Sequence, residues 1–249
     1  MRNLFAFALM AIASTVLAQT ADERLFEAIQ DGKPLVAEGL IANGQASPRA
    51  RDANGETALH RAVEKGLREL TVLLLRSGAN PAARSNSGET ALHLAALHAD
   101  AWFAEQLLAW KADPRARNDD GETPLHWAAL SGNAATARLL LLRGADANIS
   151  DIRGNLPLHG AADGGDPATV RLLLERTDNR DAKNREGLAA ADLARARGYG
   201  ELTALLGGNA PRTERADRPA DRRPQEEPPK QGFRSMDIDD PNHPRFQSY

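Results

Sequence analysis

Four histidines recur at one step of thirty-three residues, and each closes a four-residue phrase: Thr57-Ala-Leu-His60, Thr90-Ala-Leu-His93, Thr123-Pro-Leu-His126 and Leu156-Pro-Leu-His159. Imidazole is the commonest metal ligand among side chains, so the array first raises a metal centre. The spacing argues against one. Equivalent places in a stack of helical units stand about 8 to 10 Å apart, whereas the ligands of one zinc lie about 2 Å from it. His98 falls at a different place, near a helix end, where surface contact is the expectation. Asp119, Asp120 and Glu122 are close enough in sequence for acid–base work. On a hairpin tip, however, they would be solvated, and nothing there would raise a carboxyl into a catalytic range. No Gly-x-Ser-x-Gly, Gly-x-x-x-x-Gly-Lys or His-Glu-x-x-His motif occurs. The expectation is a non-enzymatic chain with no cofactor and no metal. A hydrolase or metal-dependent enzyme built on loop residues is the alternative that elemental analysis would expose.

The elements that position these residues follow from the period. A fixed repeat in the twenties to forties marks supersecondary units that stack because none buries its apolar face alone. Gly55, Gly88, Gly121, Gly154 and Gly187 keep the same step, as do Gly66, Ala99, Gly132, Gly165 and Gly198. Thr57 and its counterparts precede good helix formers, where a hydroxyl caps free N–H groups, and Pro124 and Pro157 take the first helical position. That first helix ends at Gly66. A more apolar second helix is predicted over Leu70 to Arg76, with counterparts at Phe103 to Ala109, Ala137 to Leu142 and Val170 to Glu175. Gly78 and Gly144 close two of these, while Lys111 and Thr177 stand at the equivalent places. The polar, turn-rich segments between helix pairs read as projecting hairpins.

With Gly-x-Thr-Pro-Leu-His at the first helix, and Leu73-Leu-Leu-Arg-Ser-Gly-Ala-Asn80 and Leu139-Leu-Leu-Leu-Arg-Gly-Ala-Asp146 at the second, the chain resembles the ankyrin-repeat family. The resemblance implies an all-α solenoid of stacked helix pairs with hairpin loops. Six repeats are expected, near 22–51, 52–84, 85–117, 118–150, 151–183 and 184–208, the outer two being degenerate caps. It also implies that each histidine ties the start of its helix to neighbouring loop backbone. Asp192 stands in for histidine in the last copy. Leu156 for threonine and Thr177 for glycine predict a locally weaker fifth repeat.

Residues 1–18 do not fit the solenoid. A basic start at Arg2, an apolar run from Leu4 to Leu17 and Val16-Leu-Ala18 before the cut read as a signal peptide cleaved after Ala18. The run is shorter than the roughly 20 residues of a membrane span, so no membrane anchor is expected after cleavage. A periplasmic or secreted location follows. Without residues 1–18 the charge is 30 Lys plus Arg against 34 Asp plus Glu, a net −4. That balance argues against nucleic acid, whose binders carry basic patches. The chain has no cysteine, so disulfides and thiolate metal sites are excluded. Residues 209–249 hold seven of the fourteen prolines among mixed charges, and read as a disordered tail. The apolar residues near its end, Phe233, Met236, Ile238, Phe246 and Tyr249, leave two readings open, a docking peptide or an incidental composition.

The resemblance places partner binding on a concave face made of loop tips and the exposed side of the first helices. Position by position, the tips are Asn54 and Glu56; Asn86, Ser87 and Glu89; Asp119, Asp120 and Glu122; and Ile152, Arg153 and Asn155. The groove positions are Lys65, Leu97 and His98, then Leu130 and Ser131. An apolar pair, Leu97 and Leu130, thus lies beside an acidic rim, suited to a protein with an apolar anchor and a basic flank. Trp127 is expected in the core. Trp102 and Trp110, on the outer helices, offer a second contact surface or cover for a neighbouring arginine stem. The expected function is that of an exported, monomeric protein-binding module of unidentified partner, or an accessory or inhibitor of an exported enzyme.

Overall fold

The structure, a computed structural model, describes residues 19–207. The signal peptide expected at 1–18 and the tail expected at 209–249 lie outside those residues. Among the described residues twelve helices follow in pairs: α1 Ala21–Gln30, α2 Pro34–Ala42, α3 Ala58–Glu64, α4 Arg68–Arg76, α5 Ala91–Ala95, α6 Trp102–Ala109, α7 Pro124–Leu130, α8 Ala134–Leu142, α9 Pro157–Gly164, α10 Pro167–Leu174, α11 Ala190–Ala196 and α12 Gly200–Leu205. The first helix of each pair packs on the first helix of the next along the whole stack. Six helix pairs in one file make the expected all-α solenoid.

Two columns of residues explain why the units stack. Ala62, Ala95, Ala128, Ala161 and Ala194 repeat at one step and are each fully buried, a small residue wherever neighbouring first helices meet. Leu74, Leu107, Leu140 and Leu173 do the same in the second helices, also at zero exposure. Burying one leucine contributes about 1.5 to 3 kcal/mol, so each interface gains from its own layer and the layers join into one continuous core. At α9 the approach is tighter still. A side chain at Gly164 would place its Cβ 2.1 Å from the Leu130 carbonyl oxygen, so only glycine fits there.

The second helices begin earlier than their apolar runs predict. α10 starts at Pro167 because the Asp166 carboxylate caps it, accepting the Thr169 N–H at 2.7 Å. α8 starts at Ala134, three residues before the expected Ala137, and its leading Asn133 reaches across to the Ala96 carbonyl at 2.7 Å. At the helix ends, Gly78 and Gly144 take φ of 90° and 94°, and Lys111 takes the same left-handed conformation at φ 66°. A non-glycine residue there is strained. Lys111→Gly is therefore expected to stabilise the protein by about 1 kcal/mol, read as a higher urea midpoint; an unchanged midpoint would mean that the loop relaxes elsewhere. Thr177 avoids the problem, because its N–H and hydroxyl both return to the Leu173 carbonyl.

Candidate functional site

Each hairpin closes on a short-range polar device. Asp52, Asn118, Asp151 and Asn184 use a side-chain oxygen, and Ser85 its hydroxyl, to accept the N–H four residues on, at 2.7 to 3.1 Å. The tips are then tied to each other by backbone bonds. The Asn86 N–H donates to the Asn54 carbonyl at 2.9 Å, Asp119 to Ser87 at 3.0 Å, Ile152 to Asp120 at 2.9 Å and Arg185 to Arg153 at 2.8 Å. Arginines brace the hairpin bases in the same direction: Arg51 donates to the Arg84 carbonyl, Arg84 to that of Arg117, and Arg117 to that of Ser150. The tips form one strip with a hydrogen-bonded backbone.

Side chains on that strip divide by position. Asn54, Asn86, Ser87, Asp119, Asp120, Ile152 and Arg153 are exposed. Glu56, Glu89 and Asn155, expected as contact residues, are instead buried, because the residue after each tip glycine folds back beneath the hairpin. Glu56 meets Arg61 at 2.9 Å, Glu89 lies 3.5 Å from the Ser85 hydroxyl, and Asn155 bonds to Asp151 and Asn184. Glu122 corrects the expectation of a solvated carboxylate. It accepts the Trp127 indole N–H at 2.8 Å and an Asn118 amide N–H at 2.9 Å. Burial raises its pKa, and those two donors pull the other way.

The groove floor also differs in detail from the sequence reading. At its first end Arg61 lies among Asp52, Glu56 and Glu64, at 2.8, 2.9 and 3.1 Å. Burial opposes its charge, but the three carboxylates outweigh burial and raise its pKa. Lys65 is half-buried beside them. Leu97 is half-buried and packs on the core. His98 is not a free contact residue: its Nε2 donates to the Val63 carbonyl at 2.6 Å and its ring lies 4.7 Å from that of Phe103. Leu130 and Ser131 are half-buried at the groove centre, and Asp163 beyond them is held by both arms of Arg197 at 2.6 and 2.9 Å.

Trp127 fills the core as expected, 1 % exposed, with its edge toward the His93 ring. On the convex side Trp102 covers an arginine, the Arg68 guanidinium carbon standing 5.1 Å from its ring centre, while Trp110 remains 44 % exposed.

The histidine array is structural, and its geometry fixes the tautomer. In each full copy Nδ1 accepts the N–H of the residue three before it, Thr57, Thr90, Thr123 or Leu156, at 3.1 Å. The proton therefore sits on Nε2, which donates to the next repeat's backbone: the carbonyls of Glu89, Glu122, Asn155 and Leu188, at 3.1 to 3.3 Å. The threonine hydroxyls, expected to cap free N–H groups, instead meet the imidazole Nδ1 at 2.8 to 2.9 Å. Asp192 keeps the local half of the device, accepting the Ala189 N–H at 3.0 Å. Burial pushes His93 down to about 3 and His126 to about 4, and it lowers His159 as well. Among the described residues no group of three or more histidines or acids is placed to hold a metal ion.

The surface that results is a rigid strip of polar and charged tips beside a half-buried apolar floor, with Ile152, 47 % exposed, between Asp119 and Asp120 on one side and Arg153 on the other. Such a strip offers an extended run of contacts to another surface. A family model described as ankyrin repeats (3 copies) matches residues 25–118 and 100–186, more than half of the chain. A search of curated proteins found no match.

Proposed function

The chain belongs to the ankyrin-repeat family, and from that premise we propose that it is an exported, non-enzymatic module that holds a partner protein on its concave face. Ankyrin repeats point to protein–protein interaction. The observation that carries the specific reading is Ile152. It is a large apolar side chain left exposed on the tip strip, bracketed by two carboxylates and an arginine; its N–H donates to the Asp120 carbonyl, and the carbonyl of the adjacent Arg153 accepts the Arg185 N–H. Binding energy concentrates in central apolar contacts ringed by polar ones. The partner on this account brings an apolar anchor to Ile152 and Leu130, with a basic group toward Asp119 and Asp120. Little rearrangement is needed, because the tips are already tied together.

Export rests on the residues before the stack. Arg2, the apolar run from Leu4 to Leu17 and the small Ala18 have the order of a cleaved leader, and a cysteine-free chain suits an oxidising compartment. The mature protein is expected to begin at Gln19 and to act as a monomer in the periplasm or outside the cell. An intact mass that still includes residues 1–18 would contradict export.

The binding test is a double variant, Leu130→Arg with Ile152→Arg, compared with the wild type in affinity capture from the exported fraction of the native host. Partner binding is expected to weaken 100-fold or more while the unfolding midpoint barely moves, since both side chains are at least partly exposed. Capture unchanged in the folded variant would remove the concave face from the account.

A further inference from the structure

The tip strip of the last three repeats has a charge order, and one segment of this chain matches it in reverse. Reading back from the C-terminal end of the stack, the strip presents Arg185, then Arg153 beside the exposed Ile152, then Asp120 and Asp119. Glu186 shares the last tip, so the basic field is centred on Arg153. Asp119 already meets Arg84 at 3.1 Å, whereas Asp120 has no salt bridge among the described residues. The end of the chain reads Met236-Asp-Ile-Asp-Asp240, followed by Arg245-Phe246: acids alternating with apolar residues, then a base. The earlier charged run, Arg222-Arg223 before Glu226-Glu227, carries no large apolar residue to meet Ile152.

We propose that residues 236–245 dock along the tips of the last three repeats and compete with the partner for the concave face. In an extended chain alternate side chains point to opposite sides. Met236 and Ile238 are thereby brought to Ile152 and the groove floor, Asp239 on the opposite side to Arg153, and Arg245 to Asp120. The tether allows it. From Gly207, where the described residues end, to Met236 is 29 residues, which span at most about 100 Å. The Ile152 tip lies one repeat before the last tip, about 10 Å along the stack. Tethering at that range raises the effective concentration to the millimolar scale, so a peptide of low intrinsic affinity would stay bound until a tighter partner displaced it. The regulatory meaning depends on the concave-face reading above, but the docking itself does not.

The absence of cysteine makes the test direct. In the full purified chain, Ile152→Cys is paired with Ile238→Cys, and in a control Leu35→Cys, an 80 % exposed position on α2 at the far end of the stack, is paired with Ile238→Cys. Under mild oxidation the 152–238 pair is expected to form an intramolecular disulfide at least tenfold faster than the 35–238 pair. Adding Arg153→Glu should slow it, and adding Asp239→Arg to that variant should restore it. Equal rates for the two pairs, or bridges formed only between molecules, would overturn the docking. A slowing that the charge swap does not rescue would overturn the charge register. No partner takes part, so failure here leaves the binding function standing, and failure of partner capture leaves this result standing.

Discussion

Leu140→Arg is expected to abolish the cooperative fold. The Leu140 side chain is fully buried in α8, in the leucine column that joins the second helices of successive repeats. Arginine there would overpack the layer and bury a charge without a partner, two mechanisms that place a substitution beyond about 4 kcal/mol. A stack is stabilised by nearest-neighbour interfaces, so damage in the fourth of six repeats also uncouples the units on either side. Far-UV circular dichroism with urea titration should show lost helicity and a broadened or absent transition. Ile152→Arg, on an exposed tip, is the matched control and should leave the midpoint within about 0.5 kcal/mol of wild type. Equal loss in both variants would mean that the tips are part of the core.

The second large effect is on pH dependence. His93 and His126 titrate at about 3 and about 4 in the folded chain, against about 6.5 when unfolded. Between those values the unfolded state binds more protons, so stability falls as pH falls below 6.5 and is fully present above it. At pH 5 each of the two histidines is expected to cost about 2 kcal/mol relative to neutral pH. The physical cause is burial, which outweighs the bond each ring makes to the next repeat's carbonyl. Glu122 works in the opposite sense, because burial raises its pKa, and so the histidine contribution must be isolated by substitution. His126→Gln supplies an acceptor and a donor that do not titrate in this range. Urea midpoints at pH 7 and pH 5 should show the variant losing about 2 kcal/mol less than wild type. An identical pH dependence in the two proteins would mean that His126 is not buried neutral.

Much of this architecture was readable from spacing. The thirty-three-residue step placed the helix pairs, and the reading of Trp127 as core followed from its place after the histidine. Helix starts were less legible. α8 and α10 begin before their apolar runs, and only Asp166-Pro167 carried a local signal, a capping carboxylate followed by proline. The binding surface was the least legible part. Asp119 and Glu122 look alike as hairpin carboxylates, yet the first is exposed and the second lies under an indole. What separates them is the return of the chain after Gly121, and the acceptors at Asp52, Ser85, Asn118, Asp151 and Asn184 that hold this return recur at the same step. The backbone tie of His98 is invisible in the sequence for a different reason. Its partner is a backbone carbonyl thirty-five residues earlier, at Val63, and no side-chain pattern announces a carbonyl.

The most direct measurement of concave-face recognition is site-specific photo-crosslinking in the native host. A photoreactive amino acid would be placed singly at Ile152 on the tip strip, at Trp110 on the convex side and at Leu35 on α2, all exposed positions. The account predicts that one exported protein is captured from position 152 and from neither of the others. Capture of that protein from position 110 or 35 with none from 152 would contradict it, and would move the binding surface to the convex side or to the first repeat.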